Sequence, residues 1–372
     1  MRALAVVPGQ PGSLRRVDLP APALADIDDG RGVGVRVLQV GLCGTDREIS
    51  QGLYGAPPPG SDILVLGHEN LGLVDEVGPG VSDYYRAGEY VVATVRRPGH
   101  SLYDVIGLPD LTTDDVCQER GINLLHGFLA ERYVEHERFM VKVPAALRHV
   151  AVLLEPMSVV EKGIIHAFDL QRRLPIWQPG RVAVLGTGPV GLLAALVLRL
   201  RDLDVTALAL PRRPYLNGEL IEALGGRYYS VRDVSLREAA RRHGPFDLIF
   251  EATGYSPLVF EGMEILGKNG VLVLSGISGG GREVAVRADA INLGFVLGNK
   301  VMVGTVNAAR EHFEAGIRDL AAAEVLYPGW LSRLITHRVR GLEDARAVAD
   351  LLEAGNREPR PIKAVVEVAR LP

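Results

Sequence analysis

An α/β fold class is predicted from three features of the sequence: short β-rich runs broken by Gly and Pro up to Val143, alternating strand-like and helix-like segments from Arg181 onward, and a strand-like ending, IKAVVEV. The first describes an irregular β-rich domain. The second describes a doubly wound parallel sheet, because near-continuous apolar strands separated by helices are buried on both faces. The third implies that the C-terminus returns to the first domain. At 372 residues the chain exceeds the usual size of one hydrophobic core, so two domains are expected. Residues 1–163 and 309–372 are assigned to the β-rich domain and 164–308 to the sheet domain.

In order, the β-rich runs are GVGVRVLQVG, ILVLGHENLGLVDEVG, EYVVATV and FMVKVP. Between Arg96 and Gly127 lies RRPGHSLYDVIGLPDLTTDDVCQERGINLLHG, too long for a connection and therefore functional or a separate lobe. AVLLEPMSVVEKGIIHAFDL has helical spacing. Strands are expected at RVAVL (181–185), VTALAL (205–210), DLIFEA (247–252), VLVLS (271–275) and KVMVGT (300–305). Helices return at HFEAGIRDLAAAE and LEDARAVADLLEAG.

The composition, 47% hydrophobic and 23% charged, leaves enough apolar material for ordered cores. A net charge of −4 and only short basic clusters give no field that would attract nucleic acid or an anionic membrane. Two cysteines cannot form a disulfide framework, so a reducing, cytoplasmic setting is expected. The N-terminal MRALAVVPGQPG is cut by Pro and Gly and lacks a signal-peptide apolar region. The longest uncharged run, residues 182–198, carries GTGPVG in its middle and reads as strand, turn and buried helix, not as a membrane span.

In RVAVLGTGPVGLLAALVLRL, Gly186, Gly188 and Gly191 fall directly after a strand and open a helix. One glycine makes the tight turn, the second lets the backbone approach a pyrophosphate, and the third lets helix pack on strand. The anion then rests on unpaired N–H groups at the helix N-terminus. A purely structural turn or a methyl-donor site would share the pattern; the βαβ context favours a dinucleotide. The second strand ends without the carboxylate that would bind a ribose 2′-hydroxyl. It offers Arg212 and Arg213 instead, which suit a 2′-phosphate, so NADP is expected in preference to NAD, with NAD use still open. A solvated basic loop is the plainer reading of the two arginines.

Three segments carry metal-ligand chemistry: Cys43 in GLCGTDREI, His68 and Glu69 in GHEN, and Glu155 in LLEPMSVVEK. Each has an ordinary alternative, as a small buried hydrophobe, a core histidine, a strand-end charge and a helix-start acid. Together they supply sulfur, nitrogen and oxygen donors that suit tetrahedral zinc with one open position. Their spacing alone does not bring them together.

The order CGTD, GHE, LxEP and GxGxxG resembles the zinc-dependent medium-chain dehydrogenases across nearly the whole chain. Within them the sequence resembles the archaeal-type glucose dehydrogenases, through CGTDREI, VRRP, the ERGI and HGF pieces, LLEP…VVEK, PRR after the second strand, and GTVNAAREHF. The resemblance implies a GroES-like catalytic domain built from both chain ends, a Rossmann-type nucleotide domain, and oxidation of an aldose at its anomeric carbon to a lactone. It further implies a homo-oligomer, a dimer or tetramer, assembled through the nucleotide domains.

Carried over to this chain, the resemblance makes Cys43, His68 and Glu155 metal ligands, with Glu69 beside the metal as a ligand or a base, and Thr45 the hydroxyl that bonds the reacting oxygen. Glu119, Glu155 and Asn307 fall at substrate positions. Thr187, Pro189 and Val190 join the three glycines at the cofactor, together with Thr253, Val306 and Asn307. The chain departs from the pattern twice. Relatives with a second, structural zinc hold it with four cysteines in the lobe after VRRP, where this chain has only Cys117; the lobe is expected to be metal-free and held by packing. Val159 stands where some sugar dehydrogenases carry an Asp.

The rival readings are a dehydrogenase for another aldose or polyol, such as a pentose or sorbitol; a nucleotide-binding relative without catalysis; and a zinc-free quinone reductase. An intact set of Cys43, Thr45, His68 and Glu155 argues against the second.

Overall fold

The computed structural model describes residues 1–277, 279–354 and 361–372, which divide into two compact units. Unit 1 comprises Met1–Glu155, Asn307–Ala321 and Leu331–Pro372; unit 2 comprises Pro156–Val306 and Ala322–Trp330. In chain order, unit 1 begins with β1 (Arg2–Val6), β2 (Arg15–Asp18), β3 (Gly32–Leu42), α1 (Gly44–Ser50), β4 (Leu64–Val65), β5 (Glu69–Val77), β6 (Tyr90–Ala93) and β7 (Arg96–Arg97). It continues with α2 (Leu102–Val105), β8 (Gln118–Arg120), β9 (Leu124–Leu125), β10 (Arg132–His136), β11 (Met140–Val143) and the first turn of α3 (Leu154–Gln171).

Unit 2 contains β12 (Arg181–Leu185), α4 (Pro189–Leu200), β13 (Asp204–Ala209), α5 (Leu216–Ala223), β14 (Arg227–Ser230), α6 (Leu236–His243) and β15 (Phe246–Glu251). It ends with α7 (Ser256–Ile265), β16 (Leu266–Leu274), α8 (Ala288–Gly298) and β17 (Val301–Gly304). The chain closes with α9 (Arg310–Leu326), β18 (Ile335–Arg340), α10 (Ala345–Ala354) and β19 (Lys363–Glu367). The expected helix LEDARAVADLLEAG ends at Gly355, which lies outside the described residues.

In unit 1 the main sheet runs β11-β6-β5-β3-β19-β18, with β10 also paired to β3. β3 is buried along ten of its eleven residues because β5, β10 and β19 surround it and α10 covers the core with Val348 and Leu352. The C-terminal strand β19 pairs antiparallel with β3, so the chain end does rejoin the first unit. The run ILVLGHENLGLVDEVG is not one strand. It breaks at Gly67, whose φ of +87° any side chain would resist, and a Cβ there would lie 2.6 Å from Val40. β4 before the break pairs with β1, whereas β5 after it pairs with β3, so His68 sits where the chain changes sheets.

Unit 2 is a six-stranded sheet, order β14-β13-β12-β15-β16-β17, with every pairing parallel. Its central strands β12, β13 and β15 are buried along most of their length, as expected of a parallel sheet covered on both faces. The apolar run 182–198 is divided as expected: β12, the glycine turn, then α4 with Gly191–Leu198 buried. β14, RYYS, escaped the sequence reading because a four-residue edge strand rich in polar atoms carries little apolar signal.

Among the described residues no helix is long and apolar enough to cross a membrane.

Candidate metal and nucleotide sites

The metal site is built at the end of β3. Gly41 lies opposite Glu69 in the β3–β5 pairing, and a Cβ on Gly41 would fall 2.0 Å from Glu69 Oε2, so only glycine leaves room for that carboxylate. Two residues later Cys43, in extended conformation, caps the N-terminus of α1. Its Sγ accepts the Thr45 N–H at 3.3 Å, and its own N–H donates to Asp46 Oδ2 at 2.9 Å, closing a capping box. That is why a thiol sits between two glycines: one clears space for a neighbouring acid, and the turn presents the sulfur.

Cys43 Sγ lies 3.1 Å from His68 Nε2, and one donor atom each from Cys43, His68 and Glu69 fall within 4.8 Å of one another. A soft thiolate, an imidazole nitrogen and a carboxylate oxygen are a zinc-type donor set, so these residues fit the implied metal. Asp46, fully buried, faces His68 Nδ1 at 3.5 Å and accepts the Gly67 N–H at 3.1 Å, an outer carboxylate that orients the ring so that Nε2 points to the sulfur. Glu155 is not in that tight group. It is nonetheless within electrostatic reach: burial raises its carboxyl pKa, and the charges of His68 and Glu69 act on it in opposite senses.

Burial pushes the Cys43 thiol up. Burial also disfavours charge on His68, but Cys43 and Asp46 outweigh it and hold the imidazole well above the ordinary histidine range. Lys363, 1% exposed, places Nζ 2.5 and 2.6 Å from the two oxygens of Glu69. Sequence reasoning missed Asp46 and Lys363. Asp46 carried a local signal, the Cys-x-x-Asp capping spacing, whereas Lys363 reaches Glu69 across 294 residues and had none.

Glu119, on β8, is buried and ion-paired to Arg96 at 2.9 Å, and Asn307 donates to the same carboxylate at 2.9 Å. The structure therefore joins two expected sugar contacts that lie 188 residues apart in the chain. Thr45, half-buried, stands on the first turn of α1.

The lobe after Arg97 corrects one expectation: it is not held by apolar packing. Leu102, Val105, Ile106 and Val116 are exposed. A carboxylate replaces the core: Asp104 Oδ2 accepts from the Ser101 N–H at 3.0 Å and from the hydroxyls of Ser101 and Thr112, each at 2.6 Å, while Asp114 accepts the His100 N–H at 2.6 Å. So short a segment, with α2 only four residues long, cannot bury enough apolar area to close itself.

In unit 2 the glycine turn leads from β12 into α4. Gly186 has φ +94° and would drive a Cβ to 2.8 Å from Thr253, a Cβ on Gly188 would meet open space, and one on Gly191 would lie 2.0 Å from the Gly186 carbonyl. Pro189 occupies the first turn of α4, with Val190 beside it. Thr187 is buried, and its carbonyl accepts from Asn217 at 2.6 Å. Thr253 donates its N–H to Glu251 at 2.7 Å, and Lys162 donates to the Val306 carbonyl at 2.9 Å. Arg212 and Arg213 follow β13 and pair with Asp233 and Glu222, their side chains each 60% exposed.

Fold and donor set together define a zinc-dependent medium-chain dehydrogenase, with a GroES-like domain and a Rossmann domain. The alcohol dehydrogenase GroES-like domain family matches residues 29–145, and the glucose dehydrogenase C-terminus family matches residues 148–368. The chain belongs to the glucose dehydrogenase family. It is 43% identical over 371 residues to a glucose 1-dehydrogenase of Methanocella arvoryzae, covering 99% of both chains. It is 42% identical to a glucose 1-dehydrogenase of Thermoproteus tenax over 90% of this chain and 92% of that one. Haloferax mediterranei glucose dehydrogenase, solved in complex with NADP, Zn and gluconolactone, superposes with a TM-score of 0.88 at 31% identity and full coverage of both chains.

Proposed function

We propose that this protein oxidises D-glucose at C1 to the lactone with a nicotinamide dinucleotide, NADP in preference to NAD, and one zinc ion. The convergence of Cys43, His68 and Glu69 within 4.8 Å in a chain of this family carries the reading. Bound here, zinc supplies Lewis-acid polarisation of the C1 oxygen and the dinucleotide supplies the hydride acceptor. Cys43 and His68 would hold the metal, with the carboxylates of Glu69 and Glu155 beside it to complete the set. Thr45 takes the C1 hydroxyl proton, and Glu69 is the acid–base group to which that proton can pass. Glu119 and Asn307 engage sugar hydroxyls. Gly186, Gly188 and Gly191 admit the pyrophosphate, Thr187, Pro189, Val190 and Thr253 line it, Val306 and Asn307 steady the nicotinamide, and Arg212 and Arg213 bind the 2′-phosphate.

The lobe carrying Cys117 needs no second zinc, because Asp104 supplies the staple. A reducing, cytoplasmic setting suits the two free cysteines. The protein is a homo-oligomer of which β17 is the joining edge: this strand pairs only with β16 among the described residues and follows in the chain on α8, which exposes Leu293, Val296 and Leu297.

The test is a panel of sugars with NADP and NAD, followed by the absorbance of the reduced nicotinamide, on the parent and on Cys43→Ala. Glucose turnover with about one zinc per chain, lost in the variant, supports the reading. No turnover of glucose or its neighbours with either dinucleotide refutes it.

A further inference from the structure

Arg96 and Arg97 stand together in VRRP, and the strand they form sends them to opposite faces. Arg97 pairs with Glu135, which Arg120 also holds at 2.8 Å, and it stacks on Phe139 with 4.2 Å to the ring centroid. Arg96 faces Glu119 directly across the β7–β8 pairing. Its Nε and Nη2 lie 3.0 and 2.9 Å from Glu119 Oε1, and Asn307 Nδ2 lies 2.9 Å from the same oxygen. Three donors thus converge on Oε1, and none of the described residues donates to Oε2. β7 and β8 span two and three residues, too few for backbone pairing alone to fix a flexible carboxylate. The guanidinium fixes it, and the Arg97–Glu135–Arg120 cluster on the other face anchors the strand that presents the guanidinium.

We propose that Arg96 is the positioning residue of the sugar subsite: by filling Glu119 Oε1 it leaves Oε2 as the one oriented acceptor. The inference rests on the reading that Glu119 contacts the sugar. An acceptor without a free donor selects a neutral aldose that presents a hydroxyl at that point. It discriminates against a sugar lacking that hydroxyl, which leaves Oε2 unpaired, and against one phosphorylated there, whose charge would meet the carboxylate.

The experiment compares Arg96→Met, Arg96→Lys and Glu119→Gln with the parent, measuring kcat and KM for glucose and a set of monodeoxyglucoses, and NADP dissociation without sugar by fluorescence. For Arg96→Met the expected result is a glucose KM raised about 10-fold or more, kcat within about 3-fold, and NADP dissociation unchanged, with the parent's discrimination against one deoxy sugar flattened. Arg96→Lys recovers part of the loss, because it restores the charge but not the two-nitrogen fork.

If Glu119→Gln shifts KM and discrimination while Arg96→Met leaves both at the parent values, the proposal is wrong and the reading of Glu119 stands. If neither variant shifts them, that reading fails and takes the proposal with it. A fall in kcat shared by all sugars, or weakened NADP binding, marks a general structural role and overturns the proposal. Should Arg96→Met not fold, Arg96→Lys decides: a raised KM with kept kcat supports the proposal, and unchanged discrimination overturns it.

Discussion

Replacing Lys363 by Met removes the ammonium shared by both oxygens of Glu69, at 2.5 and 2.6 Å, and leaves a carboxylate 2% exposed without its cation. Deleting one member of so buried a pair costs about 3–5 kcal/mol, because the remaining charge stays desolvated. In a unit of about two hundred residues each kcal/mol moves the melting temperature by roughly 2–4 °C, so the transition of unit 1 should fall by about 6–20 °C. Calorimetry on chelated protein reads this directly. The double variant Glu69→Gln/Lys363→Met removes both charges and should recover most of the loss. Zinc should narrow the gap between Lys363→Met and parent, since a cation beside Glu69 takes over part of the neutralisation. A loss below about 1 kcal/mol in chelated protein, or a double variant no more stable than the single one, would show that the pair is not an electrostatic unit.

Cys43→Ala should retain the fold but bind no stoichiometric zinc and lose at least about three orders of magnitude in kcat/KM, checked by metal analysis and initial rates. Gly191→Ala forces a Cβ to 2.0 Å from the Gly186 carbonyl; NADP binding by calorimetry should vanish while zinc content is kept. Arg212→Ser with Arg213→Ser should weaken NADP about 10-fold or more and leave NAD little changed, each lost charge-assisted bond being worth about 1.5–3 kcal/mol. Asp104→Ala strands half-buried hydroxyl and amide donors at a cost of about 1 kcal/mol or more, and should open residues 99–116 to limited proteolysis that chelators do not affect in the parent. The hydroxyls of Ser101 and Thr112 help hold the Asp104 pKa, against burial, down at about 2. Because the folded pKa is depressed, this staple stabilises the lobe above the unfolded carboxyl's titration and is lost as the pH falls through about 2. Proteolysis of the lobe by an acid protease that begins well above that range would contradict the assignment.

The glycine turn was legible because its three requirements are local: a strand before it, a helix after it, and a backbone that must come close to a phosphate within six residues. Cys43 and His68 were legible as chemistry, since a thiol and an imidazole in tight turns invite a metal, but not as a constellation. Their meeting depends on Gly67 switching the chain from one sheet to another and on Gly41 yielding space to Glu69. Lys363 could not be found at all. A lysine in a terminal apolar strand reads as an edge charge until β19 is seen beside β3. The lobe misled in another way: packing was expected to hold it where a structural zinc is lacking, whereas a segment that short closes through a carboxylate, Asp104, that accepts from Ser101 and Thr112.

The sequence by itself determined the class of the two units, the nucleotide turn and the kinds of donor atom offered to a metal, because periodicity, glycine placement and side-chain chemistry act over a few residues. Only the tertiary structure decided which donors meet, that Lys363 guards Glu69, and that Arg96 and Asn307 converge on one oxygen of Glu119. Those contacts join residues tens to hundreds of positions apart, and their distances are set by sheet register and strand order, which local sequence does not encode.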